Sequence, residues 1–548
     1  MASAKFAGRK LRLTDSTPTQ RRAPTKHTST TRQICPPSIT MAVAQVFAAQ
    51  PDVLGATIVT IEADLSRGLH SFTVVGLAGK AVEEARDRTN SAIKNSGFKA
   101  PKSTNHKIII SLAPADIKKE GPLFDLPIAI AYLIAAGELK GDVAKKLFLG
   151  ELALDGTLRP VRGVLPIVRK AKAAGFEEVI VPKENADEAA LIDGIAVIPV
   201  SNLLEVVCHI DASRDDACSL SAHPTQKVTD EWESTAIRLE DIRGQESAKR
   251  GLLIAAAGRH NVLMVGPPGT GKTMLARAFQ SLLPPLSTEE ALMVSSIHSY
   301  AGTLEDAVSS KPPFRAPHHT ASHTSLVGGG AHPKPGEVTL AHKGVLFLDE
   351  FPEFERRSID ALRQPLEDRV VSISRVQGSA IFPADFVLVA AMNPYRGSED
   401  GTTDYAAAMM DTYKGKVSGP ILDRIDLWLE VPHVPYETLT EERDEKTIRD
   451  ETTEARAQIK VAREQAHKRL MGRPVSTNAE MSARDIEETI HLSADVQDLL
   501  KTSSAKLNLS PRSYHRLIKV SRTIADLDGS DDIKQEHVLE ALQYRVKI

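Results

Sequence analysis

Residues 261–278 read NVLMVGPPGTGKTMLARA. Asn261-Val262-Leu263-Met264-Val265 is a buried-strand pattern running straight into Gly266-Pro267-Pro268-Gly269-Thr270-Gly271-Lys272-Thr273, and helix-forming Met274–Ala278 follows. A strand, a glycine-rich loop and a helix in that order predict a phosphate site. Backbone N–H groups of the loop and of the helix N-terminus wrap the phosphates. Lys272 adds a point charge near the β- and γ-phosphates, and Thr273 offers a hydroxyl to Mg²⁺. The implied ligands are ATP and Mg²⁺.

Working outward, Gly344-Val345-Leu346-Phe347-Leu348-Asp349-Glu350 is a second buried strand with two acids at its carboxyl end, about 75 residues after the loop. Ligands in parallel sheets bind outside those strand ends. Asp349 is expected to hold Mg²⁺, directly or through water, and Glu350 to polarise the attacking water. A third strand, Phe386–Met392, ends at Asn393. Its amide either orients water near the γ-phosphate or belongs to an ordinary Asn-Pro turn. In Ser418-Gly419-Pro420-Ile421-Leu422-Asp423-Arg424-Ile425-Asp426-Leu427, Arg424 is either an ion-pair partner of Asp423 or Asp426 or a finger for a neighbour's γ-phosphate. A finger supplied by a neighbour requires a closed ring.

The rest of the chain frames this centre. With 548 residues, length implies three or four domains. The net charge of −3 advertises no global nucleic-acid surface, so any such surface is local. Cys35, Cys208 and Cys218 fit neither a zinc motif nor a disulfide framework, and a reducing, cytoplasmic setting is the natural reading. No apolar run reaches the ~18 residues of a membrane span. Residues 1–40 hold eight Lys and Arg against Asp15 alone, with no apolar periodicity. They form a disordered basic tail, a transit peptide, or a mis-assigned start before Met41. Residues 41–210 mix strands (Val53–Glu62, Ser71–Val75, Lys107–Leu112, Glu178–Val181) with helices (Ala81–Asn95, Leu126–Gly137, Leu165–Ala174). Residues 211–236 are polar and irregular, a linker. Residues 237–432 alternate strands and helices, the α/β pattern of a parallel sheet. Residues 433–548 turn helical, with a charged helix expected over Glu437–Leu470 and an apolar stripe at Tyr514, Leu517, Ile518, Ser521, Ile524 and Ala525.

The stretch LVGGGAHPKPGEVTLAHKGVLFLDEFPEFERRSIDALRQPLEDR, with FRAPHH and SGPILDRIDL, resembles the magnesium-chelatase-like AAA+ ATPases, and the span from Met41 to Ile548 resembles their ComM/YifB group. The resemblance implies an AAA+ core with a helical lid, assembled as a homo-hexameric ring. It implies Lys272 and Thr273 as Walker A, Asp349 and Glu350 as Walker B, Asn393 as sensor 1 and Arg424 as the finger. Arg512, in Ser510-Pro511-Arg512, matches sensor 2 and is expected to contact the nucleotide from the lid. Members of the group are associated with natural transformation, as motors for DNA branch migration. Related chains often carry a cysteine cluster where this one has Pro394–Val417 without cysteine, so no thiolate zinc site is expected there.

Residues 41–210 resemble the Lon protease-type domain, an α+β fold of ribosomal S5 type, through Lys119-Glu120-Gly121-Pro122, Gly150–Gly156 and Val181–Asn185. The Ser–Lys pair of such proteases is missing, since Leu123 and Leu165 stand at its two positions. An alkyl side chain cannot attack a peptide bond, so no peptidase activity is expected. Two insertions in the ATPase half are candidates for single-stranded or branched DNA: residues 311–336, with Arg315, His318, His319, His323 and Lys334, and a hairpin over Val370–Phe382 with Arg375 near its turn. The histidines have a plainer reading as packing or loop-capping groups. A chelatase motor subunit and an ATP-gated scaffold are the competing functions.

Overall fold

The computed structural model describes residues 44–226, 232, 237–304, 309–330, 334–375, 378–393, 419–437, 450–507 and 509–545. The expected basic tail, residues 227–231 and 233–236 of the expected linker, and the cysteine-free stretch from 394 lie outside the described residues.

The amino-terminal half is built on a mixed seven-stranded sheet. Ala44–Pro51 (β1) and Ala56–Arg67 (β2) pair antiparallel. Ser71–Val75 (β3), His106–Ala113 (β4), Lys146–Phe148 (β5), Glu178–Pro182 (β6) and Ala196–Val200 (β7) complete the order β3-β4-β2-β1-β5-β6-β7. Lys80–Asn95 (α1) buries the stripe Val82, Ala85, Thr89, Ala92 and Ile93. Asp125–Ala135 (α2) is apolar nearly all round and is buried accordingly. At its first residue Asp125, fully buried, takes two bonds from Arg88, at 2.7 and 2.9 Å. The strand expected over Val53–Glu62 starts later. Asp52 and Gly55 close a tight turn, with Asp52 N–H donating to the Gly55 carbonyl at 2.7 Å, and Val53 and Leu54 fall inside it.

The second sheet is all parallel. Its strands are Val262–Val265 (β8), Phe314–Arg315 (β9), Val345–Leu348 (β10), Val387–Met392 (β11) and Leu427–Glu430 (β12), in the order β9-β10-β11-β8-β12. Alternation sends Val262, Met264, Phe347 and Val389 to one core, and Leu263, Leu346, Leu348 and Leu388 to the other. Burial on both faces explains why these strands read as unbroken apolar runs. The first core is closed by Glu246–Gly258 (α4) and Lys272–Leu282 (α5), and by carboxyl-terminal helices Glu451–Arg469 (α7), Pro511–Leu527 (α8) and Gln535–Gln543 (α9). The second core includes Ile297 from Thr288–Ala301 (α6).

Helix α6 is also where the amino-terminal half is joined. Val53, 3% exposed, packs into the second core of the carboxyl-terminal half, and Leu54 packs beside it. Gly163 N–H donates to the Ser299 carbonyl of α6 at 3.3 Å. The Ser299 hydroxyl donates to Glu188, which also accepts Leu165 N–H at 2.9 Å and so caps helix Val164–Ala173 (α3). Burial pushes the Glu188 carboxyl above its ordinary range despite these donors. A carboxyl raised on folding contributes stability that is full below the unfolded pKa, near 4.3, and is lost as pH rises through the folded value. Glu188→Gln keeps Oε1 as acceptor for Ser299 and Leu165, gives up only the long 3.4 Å bond from Asn185 Nδ2 to Oε2, and removes the charge. Its Tm is therefore expected to exceed wild type at about pH 8 and to converge with it near pH 4. Thermal melts across that range check this, and a variant equally destabilised at both ends refutes it.

Candidate active site

The phosphate loop lies between the carboxyl end of β8 and the start of α5. Its glycines are dictated by geometry. A Cβ on Gly266 would lie 2.1 Å from the Val431 carbonyl oxygen, and Gly271 has φ +90°, a left-handed conformation that suits glycine. The Thr270 hydroxyl donates to the Pro267 carbonyl at 3.0 Å and steadies the turn.

Lys272 begins α5 and points back into the loop. Its Nζ donates to the Gly266 and Pro267 carbonyls at 2.7 and 2.8 Å, and to Asn393 Oδ1 at 2.9 Å. All three acceptors are neutral oxygens. Burial lowers the ammonium's pKa, with Asp349 opposing at longer range. A partly desolvated cation held by neutral oxygens is a site prepared for an anion. The Thr273 hydroxyl donates to Asp349 Oδ2 at 3.0 Å, and Glu350 N–H donates to Asp349 Oδ1 at 2.9 Å. A hydroxyl and a carboxylate oxygen side by side, next to a phosphate loop, are hard donors of the kind Mg²⁺ takes. The donor set thus fits a magnesium nucleotide. Lys272, Thr273, Asp349 and Asn393, expected from three separate stretches, meet here at the carboxyl ends of β8, β10 and β11.

Glu350 follows Asp349 with left-handed backbone, φ +50° and ψ +43°, rare for a residue with a side chain. Its carboxylate meets His319 Nδ1 at 2.9 Å. The His319 ring also lies 4.2 Å from that of His318. Histidines of this insertion were expected at packing or DNA contacts, and the pairing with Glu350 was missed. The signal available was FRAPHH, whose first two residues form the short strand β9 adjoining β10.

Arg424 and Arg512 lie elsewhere. Arg424 precedes β12, which runs parallel to β8, and its carbonyl accepts from the Asn261 side chain at 3.0 Å. It therefore sits at the amino end of the sheet, whereas the phosphate loop leaves the carboxyl end. The four strand residues Val262–Val265, roughly 16 Å over five residue steps, separate Asn261 from Gly266. The Arg424 guanidinium pairs with Glu367 and donates to the Pro420 carbonyl at 2.6 Å; neither Asp423 nor Asp426 holds it. Asp426 instead faces His260 and Arg516 and accepts Asn261 N–H. Arg512, 62% exposed, donates to the other oxygen of Glu367 at 3.2 Å. Arg512, expected to contact a nucleotide from the lid, thus lies away from the phosphate loop of its own chain. Helix α8 enters beside residues 424–426, where Arg516 donates to the Ile425 carbonyl at 2.9 Å, and this carries Arg512 to the amino end of the sheet. Both arginines line one cleft of about 500 Å³ with Glu367, Asp423 and Lys519.

The DNA-candidate insertions are also placed. Val370–Arg375 and Gly378–Pro383 pair as the expected hairpin. Arg315 is engaged by Glu337, at 2.6 and 2.9 Å. Lys334 is exposed on a two-stranded ribbon pairing Gly328–Gly329 with Lys334–Pro335. Among the described residues no helix is long and apolar enough to cross a membrane.

Comparison with known proteins agrees with this architecture. The family described as magnesium chelatase, subunit ChlI, matches residues 238–439; subunit ChlI of Mg-chelatase matches 61–185; and the ChlI carboxyl-terminal family matches 449–545. Competence protein ComM of Haemophilus influenzae is 43% identical over 515 residues, covering 93% of this chain and 98% of that protein. YifB of Escherichia coli is 43% identical over 498 residues, 89% of this chain and 94% of that one. A Mycobacterium tuberculosis protein is 38% identical over 511 residues, 92% and 99% of the two chains. Identity at this level over nearly the whole length, with the AAA+ sheet and its phosphate loop in place, means that the chain belongs to the ComM/YifB group of magnesium-chelatase-like AAA+ ATPases.

Proposed function

We propose that the chain is an ATP-driven motor that moves DNA, by branch migration or strand separation, as a ring of identical subunits. The observation carrying the ATPase step is the convergence of Lys272, Thr273, Asp349 and Asn393 on one loop. In this reading Lys272 binds the β- and γ-phosphates, and Thr273 and Asp349 hold magnesium, whose chemistry is to neutralise developing phosphate charge. Glu350 polarises the attacking water, and Asn393 orients it. Arg424 acts on the neighbouring subunit's γ-phosphate, because its own loop is a strand's length away. Arg512 acts from the same side, since one carboxylate, Glu367, gathers both guanidiniums.

The domain division is part of the proposal: residues 41–210 as a Lon-like layer, 237–432 as ATPase core and 433–548 as lid. Peptide cleavage is not the output. Leu123 is 4% exposed, Leu165 is fully buried, and neither offers a nucleophile or base. DNA is the load favoured by exposed Lys334 on its two-stranded ribbon and by the hairpin 370–383, two extensions beyond the parallel sheet, together with the competence name of a relative covering 93% of this chain. ATP turnover of the full chain is expected to rise when forked or four-way duplex DNA is added. Absence of both binding and stimulation would end the DNA reading. Metal insertion into a porphyrin with chelatase partner subunits would favour the chelatase reading instead.

A further inference from the structure

We propose that the side of α7 beside Trp232 is a binding face for single-stranded DNA, with phosphates on Lys460, Arg463 and Lys468 and a base against the indole. The inference rests on DNA being the load of the motor.

The face follows from the pattern of α7. Thr452, Ala455, Ile459, Ala462 and Ala466 form its buried stripe. Arg456, Lys460, Arg463 and His467 recur at the same helical spacing and make a second stripe beside it, with Lys468 adjacent. Lys460, His467 and Lys468 are exposed, and Arg456 and Arg463 are half-buried. Among the described residues no carboxylate lies within 4.0 Å of Arg456, Lys460, Arg463 or Lys468. The arginines just past them are paired. Asp526 holds Arg469 at 2.6 and 2.9 Å, and Asp485 and Glu488 hold Arg473 at 2.8 and 2.9 Å. The two guanidiniums of the row are fastened to backbone instead. Arg456 Nε donates to the Ser281 carbonyl at 2.8 Å, and Arg463 donates to the Ala256 carbonyl from Nε at 3.2 Å and from Nη2 at 2.6 Å. Burial pushes Arg463 down to about 9 and lowers Arg456 also. A cation kept from water without a counter-charge is a standing cost that a bound anion removes.

Trp232 supplies the other wall. Its indole N–H donates to the Leu283 carbonyl at 2.8 Å, and the Arg456 guanidinium lies over its ring, 5.3 Å from the centroid. These contacts fix the plane of the ring. Trp232, Pro284 and Pro285 face the basic row across a cavity of about 490 Å³, within the range of ligand sites. Glu464 is the one acid among its lining residues. A flat aromatic wall beside a row of unpaired cations is the combination that single strands use, since every base has a π-face and every nucleotide a phosphate. Lys460 and Lys468 are about 12 Å apart along the helix, and a stacked strand places a phosphate about every 3.4 Å of its axis. The row therefore meets several phosphates of one strand. The nucleotide site is a different place. The phosphate loop enters α5 at Lys272, whereas the cavity adjoins Leu283 past its far end, and this 11-residue helix is about 16 Å long.

Equilibrium binding of a fluorescein-labelled oligothymidylate of about 20 nucleotides to the full-length protein, read by anisotropy across a salt series, tests this. Lys460→Ala combined with Lys468→Ala is expected to weaken binding about tenfold and to flatten the salt slope by about 1.4, two single-strand phosphate contacts at ~0.7 each. Both side chains are exposed, so the fold should hold. Trp232→Ala is expected to weaken binding at least about fivefold, the worth of one stacked base, with the slope unchanged. Trp232→Phe, which keeps an aromatic face, should restore most of that loss. ATP turnover without DNA should stay at the wild-type level in all of them. Lysine and tryptophan variants that bind the strand as wild type does overturn the site and leave the DNA reading standing. A wild-type protein that binds neither this strand nor forked nor four-way DNA ends the DNA reading, and the inference falls with it. Labelled poly-L-glutamate held as tightly as the strand by wild type, and lost by the same lysine variant, would overturn the proposal in favour of an acidic peptide.

Discussion

Arg424→Ala is expected to lower kcat for ATP by about 10³-fold or more, the range for a finger supplied by a neighbour, while nucleotide still binds. The reason is positional. Arg424 lies at the amino end of the parallel sheet, beside Asn261, and the phosphate loop lies at the other. No side-chain rotation bridges that distance within one subunit, so the role is filled between subunits or not at all. Mixing makes the test sharp. A Lys272→Ala subunit retains a sound Arg424, and an Arg424→Ala subunit retains a sound loop. Combined, they create interfaces with both parts intact and should hydrolyse ATP, although neither variant does so alone. Mixtures as inert as their components, with mixed rings shown to form, would refute the arrangement. Turnover surviving in Arg424→Ala alone would do so more simply.

Lys272→Ala should abolish turnover and weaken nucleotide binding by about 10- to 100-fold, the worth of one charge-assisted hydrogen bond. Burial already penalises this ammonium, and its bonded partners are uncharged oxygens of Gly266, Pro267 and Asn393. Binding a phosphate relieves that penalty, so the loss on removing the charge falls on the ligand rather than on the fold. Lys272→Arg should not rescue. Three acceptors within 2.9 Å surround a compact ammonium, and a planar guanidinium does not fit that cage. Equilibrium titration with a fluorescent ATP analogue checks the affinity. Wild-type affinity in Lys272→Ala would remove this loop from the nucleotide site.

The parts of the site that were legible in the sequence are those set by local rules. A parallel strand exposes its carboxyl end, so the residue after the last apolar position is at the ligand. That logic brings Lys272, Asp349 and Asn393 together without knowledge of the packing. Arg512 escaped because its place depends on how α8 crosses the sheet, and that is set by buried contacts such as His260 Nε2 with the Thr523 hydroxyl at 2.8 Å. Nothing in RQPLEDR sets Glu367 apart from the acids beside it; its two guanidinium partners do. His319 and Glu350 are 31 positions apart, and no periodicity links residues at the ends of adjacent parallel strands. Val53 was misread for a different reason. A β-branched residue beside a strand is ordinarily part of it, and nothing local reveals that it serves the other half of the molecule.

That use of Val53 bears on how the protein can be taken apart. The ATPase half does not present a finished surface beneath the turn Asp52–Gly55; Val53 fills a socket lined by the same core as Leu263 and Ile297. Cutting the chain at the polar stretch near residue 237 would uncork that socket and leave an oily hollow facing water. A shortened protein that clumps or loses activity would report the missing stopper, not a missing catalytic group. Dissection of the amino-terminal half is better done by trimming its exposed side chains than by deleting it.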